Sequence, residues 1–350
     1  MNIVVPIRSV EEVAPVIAAG ADELYCGVLT LADVKKHSSR VAFNKRNYLA
    51  ANLNSYQELH SVIKIAHSYN IAVSFTINAV YPESLLPSVM EQIGKAIDCG
   101  ADSLIVADIG LLNLLKNMPL GKTKIYSSCC AYVFNAESAM FYRSLGVSKV
   151  IFPRHLTVQE VKQIIKKIPE LEFETLILND KCPFVDGLCA FEHNPSLSRG
   201  KLSSLLAKKL PFFVSSPFFN SINGYLFKKN IENKLSCCMQ YDVKSIAQGH
   251  CRKAKAEGWS YFFNSRKFLH SCGACALYEL RQAGVQSIKI AGRYQIKPEK
   301  VKNTAFIKEA VMLLDKDLGK EGYAHQVKLL YRKIFGYACR QDLCYYKSEL

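Results

Sequence analysis

One phrase recurs at four points in the chain: a helical stretch stops at glycine and an apolar, β-rich run follows at once. It reads AAGADELYC at 18–26, DCGADSLIV at 98–106, SLGVSKVIF at 144–152 and QAGVQSIKI at 282–290. Glycine is the natural left-handed stop for a helix. The apolar run behind it is the signature of a strand buried on both faces. Runs of this kind fall at 2–6, 22–27, 71–78, 102–108, 124–128, 148–153, 173–180 and 287–292, with helical patterns between them. Strand–helix alternation implies a parallel sheet covered on its faces. Eight strands with a repeated joint predict an α/β fold of the (β/α)8, TIM-barrel-like type. A doubly wound sheet is the alternative, but no GxGxxG follows the first strand.

Between the seventh and eighth strands the rhythm stops. Residues 181–271 form a basic, Cys-rich insertion, which a barrel would carry at its C-terminal mouth, where active sites are built. The expected organisation is a barrel domain over 1–300 and a C-terminal helical tail over 301–350. The net charge is +15, and 13 Lys/Arg against three acids place +10 of it between Arg199 and Lys267. Such a stretch, 199–267, attracts RNA or another anionic partner. The first residues, MNIVVPIRSVEEV, hold no long apolar leader core, and no apolar run reaches the ~18 residues that span a bilayer. A soluble, cytoplasmic protein without membrane insertion is expected. In a reducing compartment its 13 cysteines do not read as a disulfide scaffold.

The thiols gather instead. Cys182 and Cys189, Cys237 and Cys238, and Cys272 and Cys275 stand in three groups, with Cys251 between the last two. Clustered thiolates point to a soft metal or an iron–sulfur cluster. Zinc on four thiolates is the alternative, although only Cys272 and Cys275 have the C-x2-C spacing common in such sites. Cys26 and Cys99 read as core residues, and Cys339 and Cys344 as spare thiols at the end of a basic tail. Arg154, Lys289 and Arg293 lie on or just past strand ends, where they would face the mouth and hold carboxylates or phosphates. Asn78, Ser128 and Asn135 are candidate substrate-binding residues there. One thiol of Cys129–Cys130 faces substrate or packs in the core. His155 has no Ser or Cys partner visible in the sequence for a nucleophile–base pair, His193 and His270 read as loop residues, and the absence of HExxH disfavours a zincin protease.

Three segments resemble one family. VIFPRHLTVQEV (150–161) is similar to its PRxL signature, SSCCAYVFNAESAMFYRSLG (127–146) to the segment before it, and GVQSIKIAGR (284–293) to its KIxGR signature. With the Cys182-x6-Cys189 pair between them, these resemble the U-thirty-two, collagenase-like peptidase family along roughly residues 1–300. The resemblance implies a barrel-like fold. In several members it implies a 4Fe-4S cluster and oxygen-independent hydroxylation of ubiquinone precursors, a tRNA uridine or an rRNA cytidine, with prephenate implicated as oxygen donor. Other members are named proteases or accompany peptide-modifying enzymes, and some work as unequal pairs of the same family. Cys182 and Cys189 match the first two cluster ligands and Cys272 the fourth. The third is Cys237 or Cys238, with Cys238 favoured, and Cys275 is an alternate to Cys272. The chain departs from the family at Ala291, where Glu is frequent. The reading is an iron–sulfur protein that hydroxylates, or modifies by related redox chemistry, an aromatic precursor or an RNA base. The alternatives are a peptidase or peptide-maturation enzyme, and a non-catalytic RNA-binding or partner subunit.

Overall fold

The computed structural model describes residues 1–33, 43–46, 49–180, 185–188, 271–339 and 343–346, and the backbone of 242–245 and 252–255. Eight strands close into a barrel: β1 (Asn2–Pro6), β2 (Glu23–Cys26), β3 (Ala72–Ile77), β4 (Ser103–Val106), β5 (Lys124–Ser127), β6 (Val147–Ile151), β7 (Glu172–Leu178) and β10 (Ser287–Ile290). Each pairs in parallel with its neighbours in chain order, and β10 closes the ring between β7 and β1. The barrel read from the recurring joint is therefore the fold. Between β7 and β10 lies an antiparallel ribbon of β8 (Asp242–Ser245) and β9 (Arg252–Lys255). Among the described residues no helix is long and apolar enough to cross a membrane.

The joints are built as the repeat implies. Gly20, Gly100, Gly146 and Gly284 have φ of +106°, +93°, +89° and +93°, the left-handed region that side chains avoid. At Gly20 space adds to the constraint, because a Cβ would lie 2.6 Å from Lys308 Cγ. Helices α1 (Val13–Ala18), α2 (Tyr56–Ser68), α3 (Leu86–Asp98), α4 (Ile109–Lys116), α5 (Ala136–Ser144), α6 (Val158–Lys167) and α7 (Leu277–Gln282) lie between the strands. Then α8 (Lys297–Leu313) packs against β1, and α9 (Gly319–Phe335) packs on α8. Most of the hydrophobic core is the shell between strands and helices, where Phe75, Phe152, Phe173 and Phe306 are fully buried.

The barrel interior departs from the apolar filling that buried strands suggest. Val4, Tyr25, Ile105, Tyr126 and Ile151 form a small apolar cluster inside. Two residues earlier on their strands, and so on the same face, stand Glu23, Ser103 and Lys149. Lys149 is 2% exposed, and its Nζ lies 2.8 Å from Glu23 and 3.8 Å from Glu174. Lys289 Nζ lies 2.7 Å from the other oxygen of Glu174. Ser74 Oγ donates to Glu23 at 2.5 Å and sits 2.5 Å from Ser103 Oγ. The ammonium groups also face rings, Lys149 at 4.2 Å from the Tyr126 centroid and Lys289 at 4.0 Å from that of Tyr25. Two lysines and two glutamates thus neutralise one another. Burial alone would lower the Lys149 pKa, but the Glu174 and Glu23 carboxylates outweigh it and raise it, so the ammonium stays charged.

Candidate active site at the barrel mouth

Above this network the strand ends open into a pocket of about 950 Å³, solvent at its mouth included. Its position at the C-terminal face is where barrel enzymes carry their chemistry.

Arg293, just past β10, is 5% exposed and built in from several sides. Its Nη1 donates to Thr76 Oγ1 at 2.8 Å and to Asn52 Oδ1 at 3.3 Å, and its Nη2 to Asn44 Oδ1 at 2.7 Å. Gly27 makes room for it, since a Cβ there would stand 2.6 Å from Nη1. Arg154, just past β6, is held by Asp186: Nη2 donates to Oδ1 at 2.6 Å and Nε to Oδ2 at 3.0 Å. The Arg154 backbone N–H donates to the same carboxylate at 2.9 Å, and Nη1 to the Asp180 carbonyl. Burial pushes the Asp186 pKa up, but the Arg154 guanidinium outweighs it and holds the carboxyl below its ordinary value. Arg154 therefore anchors residues 185–188 at the rim. Lys289 lines the floor while paired with Glu174.

Asn78 and Ser128 also line the pocket. Asn78 Nδ2 donates to Ser128 Oγ at 3.0 Å, and Ser128 Oγ accepts from the Cys130 N–H at 3.2 Å. Asn135 stands elsewhere: it is exposed, and its Oδ1 accepts from Ser138 N–H at 2.8 Å as the N-cap of α5. Its side chain serves the helix terminus. Cys129 and Cys130 both reach the pocket. The hydrogen bond from the Cys129 thiol lowers the Cys130 pKa, and the same bond, with burial, raises that of Cys129. His155 is exposed. His193 and His270 lie outside the described residues.

Sequence reasoning missed one wall. Lys45 and Arg46 line the pocket, Asn44 and Asn52 hold Arg293, and Arg46 Nη2 lies 3.1 Å from Asp180. The basic run FNKRN (43–47) was the available signal. Among the described residues Lys45, Arg46, Arg154, Lys289 and Arg293 line the pocket with one carboxylate, Asp186, while Asp180 and Glu174 pair with Arg46 and Lys289 behind it. Ala291, at the position where the family often carries Glu, lines it too.

Of the thiols assigned from sequence, the described Cys272 and Cys275 do not line this mouth. Cys182, Cys189, Cys237, Cys238 and Cys251 lie outside the described residues. Cys272 and Cys275 line a second pocket, together with Cys339 and Cys344. The latter two, read as spare thiols of a tail, return to the barrel because the chain turns back at Gly336, φ +82°, after α9. Among the described residues no three side chains of ligand type are arranged to hold a metal as they stand.

Known proteins share this chain's sequence pattern. A tRNA hydroxylation protein P of Haemophilus influenzae is 28% identical over 185 residues, 53% of this chain and 37% of that protein. An uncharacterized protease of Methanocaldococcus jannaschii is 29% identical over 174 residues, 49% of this chain and 38% of that one. A 23S rRNA 5-hydroxycytidine synthase of Escherichia coli is 24% identical over 162 residues, 45% of this chain and 24% of that one. The match thus spans well under half of each relative's length. Among solved structures a U32 peptidase overlaps with a TM-score of 0.44 at 14% identity, covering 83% of this chain and 93% of that one. The strand pairing establishes the barrel without it. The model of peptidase family U32 matches residues 8–203, more than half of the chain, from the segment after β1 through the Asp186 loop. The chain belongs to peptidase family U32.

Proposed function

We propose that this protein carries out a redox modification of an anionic substrate at the barrel mouth, with oxygen-independent hydroxylation of an RNA base as the best-supported form. The observation that carries this reading is the surplus of positive charge at the pocket: among the described residues five cations line it against the three carboxylates that pair with them, Asp180, Asp186 and Glu174. A nucleic acid strand brings a phosphate with every residue and is drawn to such a site. A single-stranded base turned out of its stack fits a pocket of this kind. Ala291 strengthens the bias, because a Glu there would add a second lining carboxylate. The relatives named for tRNA and rRNA hydroxylation supply the reaction class. In that reaction a ring C–H becomes C–OH, with the oxygen taken from a donor other than dioxygen. Prephenate, which the family resemblance implicates, carries two carboxylates and suits the same cations. An aromatic precursor with carboxylates is the alternative substrate. Peptidase chemistry is less favoured, since among the described lining residues no histidine stands by Cys130 to act as its base.

The reading includes a 4Fe-4S cluster, with zinc as the alternative metal, on Cys182, Cys189, Cys238 and Cys272 by the family resemblance. Of that set only Cys272 is among the described residues; it shares a pocket with Cys275, Cys339 and Cys344, thiols of the soft donor type that iron and zinc take. When bound, such a cluster supplies single electrons. The reading also includes contact with RNA through 199–267 and a partner chain of the same family. To test it, protein purified without oxygen is incubated with RNA and prephenate, and the digested nucleosides are weighed. A nucleoside heavier by one oxygen is expected, its yield falling about 10-fold or more in Arg293→Ala, which removes charge-assisted hydrogen bonds. Unmodified RNA together with cleavage of a peptide substrate would sink the reading.

A further inference from the structure

We infer that Cys130 is a catalytic nucleophile of the mouth pocket, and that its thiolate adds to C6 of a pyrimidine ring held there, with the Cys129 thiol as its positioning partner. The inference rests on an RNA base as the occupant of the pocket and narrows that base to a pyrimidine. Cys130 lines the pocket just past β5 and is half-exposed. Ile105, Ile151 and Leu176 give the same cavity apolar lining on which a flat ring can lie. The lining cations Lys45 and Arg154 bear on the Cys130 thiol. A cysteine beside cations in a partly open cavity is the setting in which thiols become reactive.

The backbone around Cys130 is pinned. Ser128 Oγ accepts the Cys130 N–H at 3.2 Å, and Asn78 Nδ2 donates to the same hydroxyl at 3.0 Å. After the short turn Cys129–Ala131 the chain leaves through Tyr132, whose φ of +60° is a left-handed conformation that a tyrosine seldom adopts. Strained backbone of this kind persists only where the surroundings over-determine it, and it collects at functional sites. Here the segment 185–188 supplies the constraint. Tyr132 Oη donates to the Gly187 carbonyl, and Gly187 passes so close that a Cβ there would run into the Cys130 carbonyl oxygen. Arg154 holds that segment in turn through Asp186.

The surroundings favour the thiolate. The Cys129 S–H donates to Cys130 Sγ, and Lys45 and Arg154 add their attraction. Burial and the Asp186 carboxylate oppose them, and the balance leaves the Cys130 pKa below its ordinary value. Cys129 packs against the apolar cluster inside the barrel, is pushed the other way and keeps its proton. Cleavage of an amide needs an acid for the leaving amine, whereas addition to a ring carbon needs only the thiolate. In that step the Cys130 sulfur gives an electron pair to C6, and the C5=C6 π pair moves onto O4 of a uracil or N3 of a cytosine. C5 then takes a proton from water. Loss of a C5 proton and expulsion of the thiolate return the base, with its C5 hydrogen exchanged and no change of oxidation state. Purines carry no such activated double bond, so the thiol selects a pyrimidine. A C5–H made exchangeable is the activation that its replacement by C–OH calls for.

The test uses full-length protein purified without oxygen and tRNA and rRNA transcripts tritiated at C5 of every pyrimidine, with and without prephenate. Tritium released to water is expected from the wild type, at a rate that falls about 100-fold or more in Cys130→Ser. Cys129→Ala should slow release about 10-fold and raise the pH at which iodoacetamide alkylates Cys130, a shift that lost packing alone would not give. A measurement on the wild type alone keeps the test open should a variant fail to fold. With transcripts carrying 5-fluoropyrimidines, whose fluorine cannot leave as a proton does, the peptide containing Cys130 should gain the mass of a nucleotide after digestion. Equal tritium release in the wild type and Cys130→Ser, no release at all, or an adduct on another residue would overturn the nucleophile. Oxygen gained by the RNA without exchange through Cys130 overturns it and leaves hydroxylation standing. Exchange or an adduct through Cys130 with no oxygen gained supports the nucleophile and counts against hydroxylation.

Discussion

Lys149 shows what a single residue does in this barrel. Its ammonium is almost wholly buried between Glu23 and Glu174, so removing it leaves two carboxylates without their shared counter-charge. Lys149→Met should destabilise the fold by about 3–5 kcal/mol, and adding Glu23→Gln should return part of that. Denaturant midpoints of both variants check this, and equal loss in the single and double variants would refute the shared role. Asp186 gives a prediction in pH. Its folded-state pKa lies below the ordinary 3.8, so the unfolded chain binds more protons in the window beneath that value. The stability this pair contributes is therefore present above about pH 4 and lost as pH falls through the lowered value. The stability gap between the wild type and Asp186→Asn should be constant above pH 5 and close toward pH 2. A gap that stays constant throughout would show that Arg154 does not depend on the carboxylate charge. Arg154, Lys289 and Arg293 were legible as mouth residues because each stands at a fixed place on or after an apolar strand. Their partners were not. Glu174 lies 115 residues from Lys289, and Asp186 lies 32 from Arg154, separations that no local pattern reports.

At the scale of elements, the sequence was most readable where the backbone has few choices. A helix that must stop and re-enter a strand needs a left-handed residue, so glycine marks the joint and the strands fall within a residue or two of their expected places. Helix α6 starts on a capping box, in which Thr157 Oγ1 accepts from the Glu160 N–H at 3.2 Å and Glu160 accepts from the Thr157 N–H at 2.7 Å. Thr157→Ala should cost about 1 kcal/mol, read as a lower denaturant midpoint with an unchanged slope. A changed slope would mean that more than the helix start is disturbed. Asn135 illustrates the opposite case. An asparagine just before a helix caps it more readily than it binds substrate, and its cap role follows from position alone. The loop 43–46 was not legible, since its shape is set by hydrogen bonds to Arg293 and Asn78 from distant strands.

At the scale of the whole molecule, the barrel brings together residues whose association only closure reveals. The tail that reads as a free basic helix turns at Gly336 and returns four residues, 343–346, to the end of β7. Cys339 and Cys344 looked spare because nothing in the local pattern shows that the chain doubles back. The four-charge network inside the barrel joins β2, β6, β7 and β10, strands spread over most of the chain. This has a consequence for descent. A replacement at position 23, 149, 174 or 289 alone strands a buried charge, so lineages should keep the set or exchange it together. The barrel's interior would then be inherited as one character, while the mouth above it varies residue by residue.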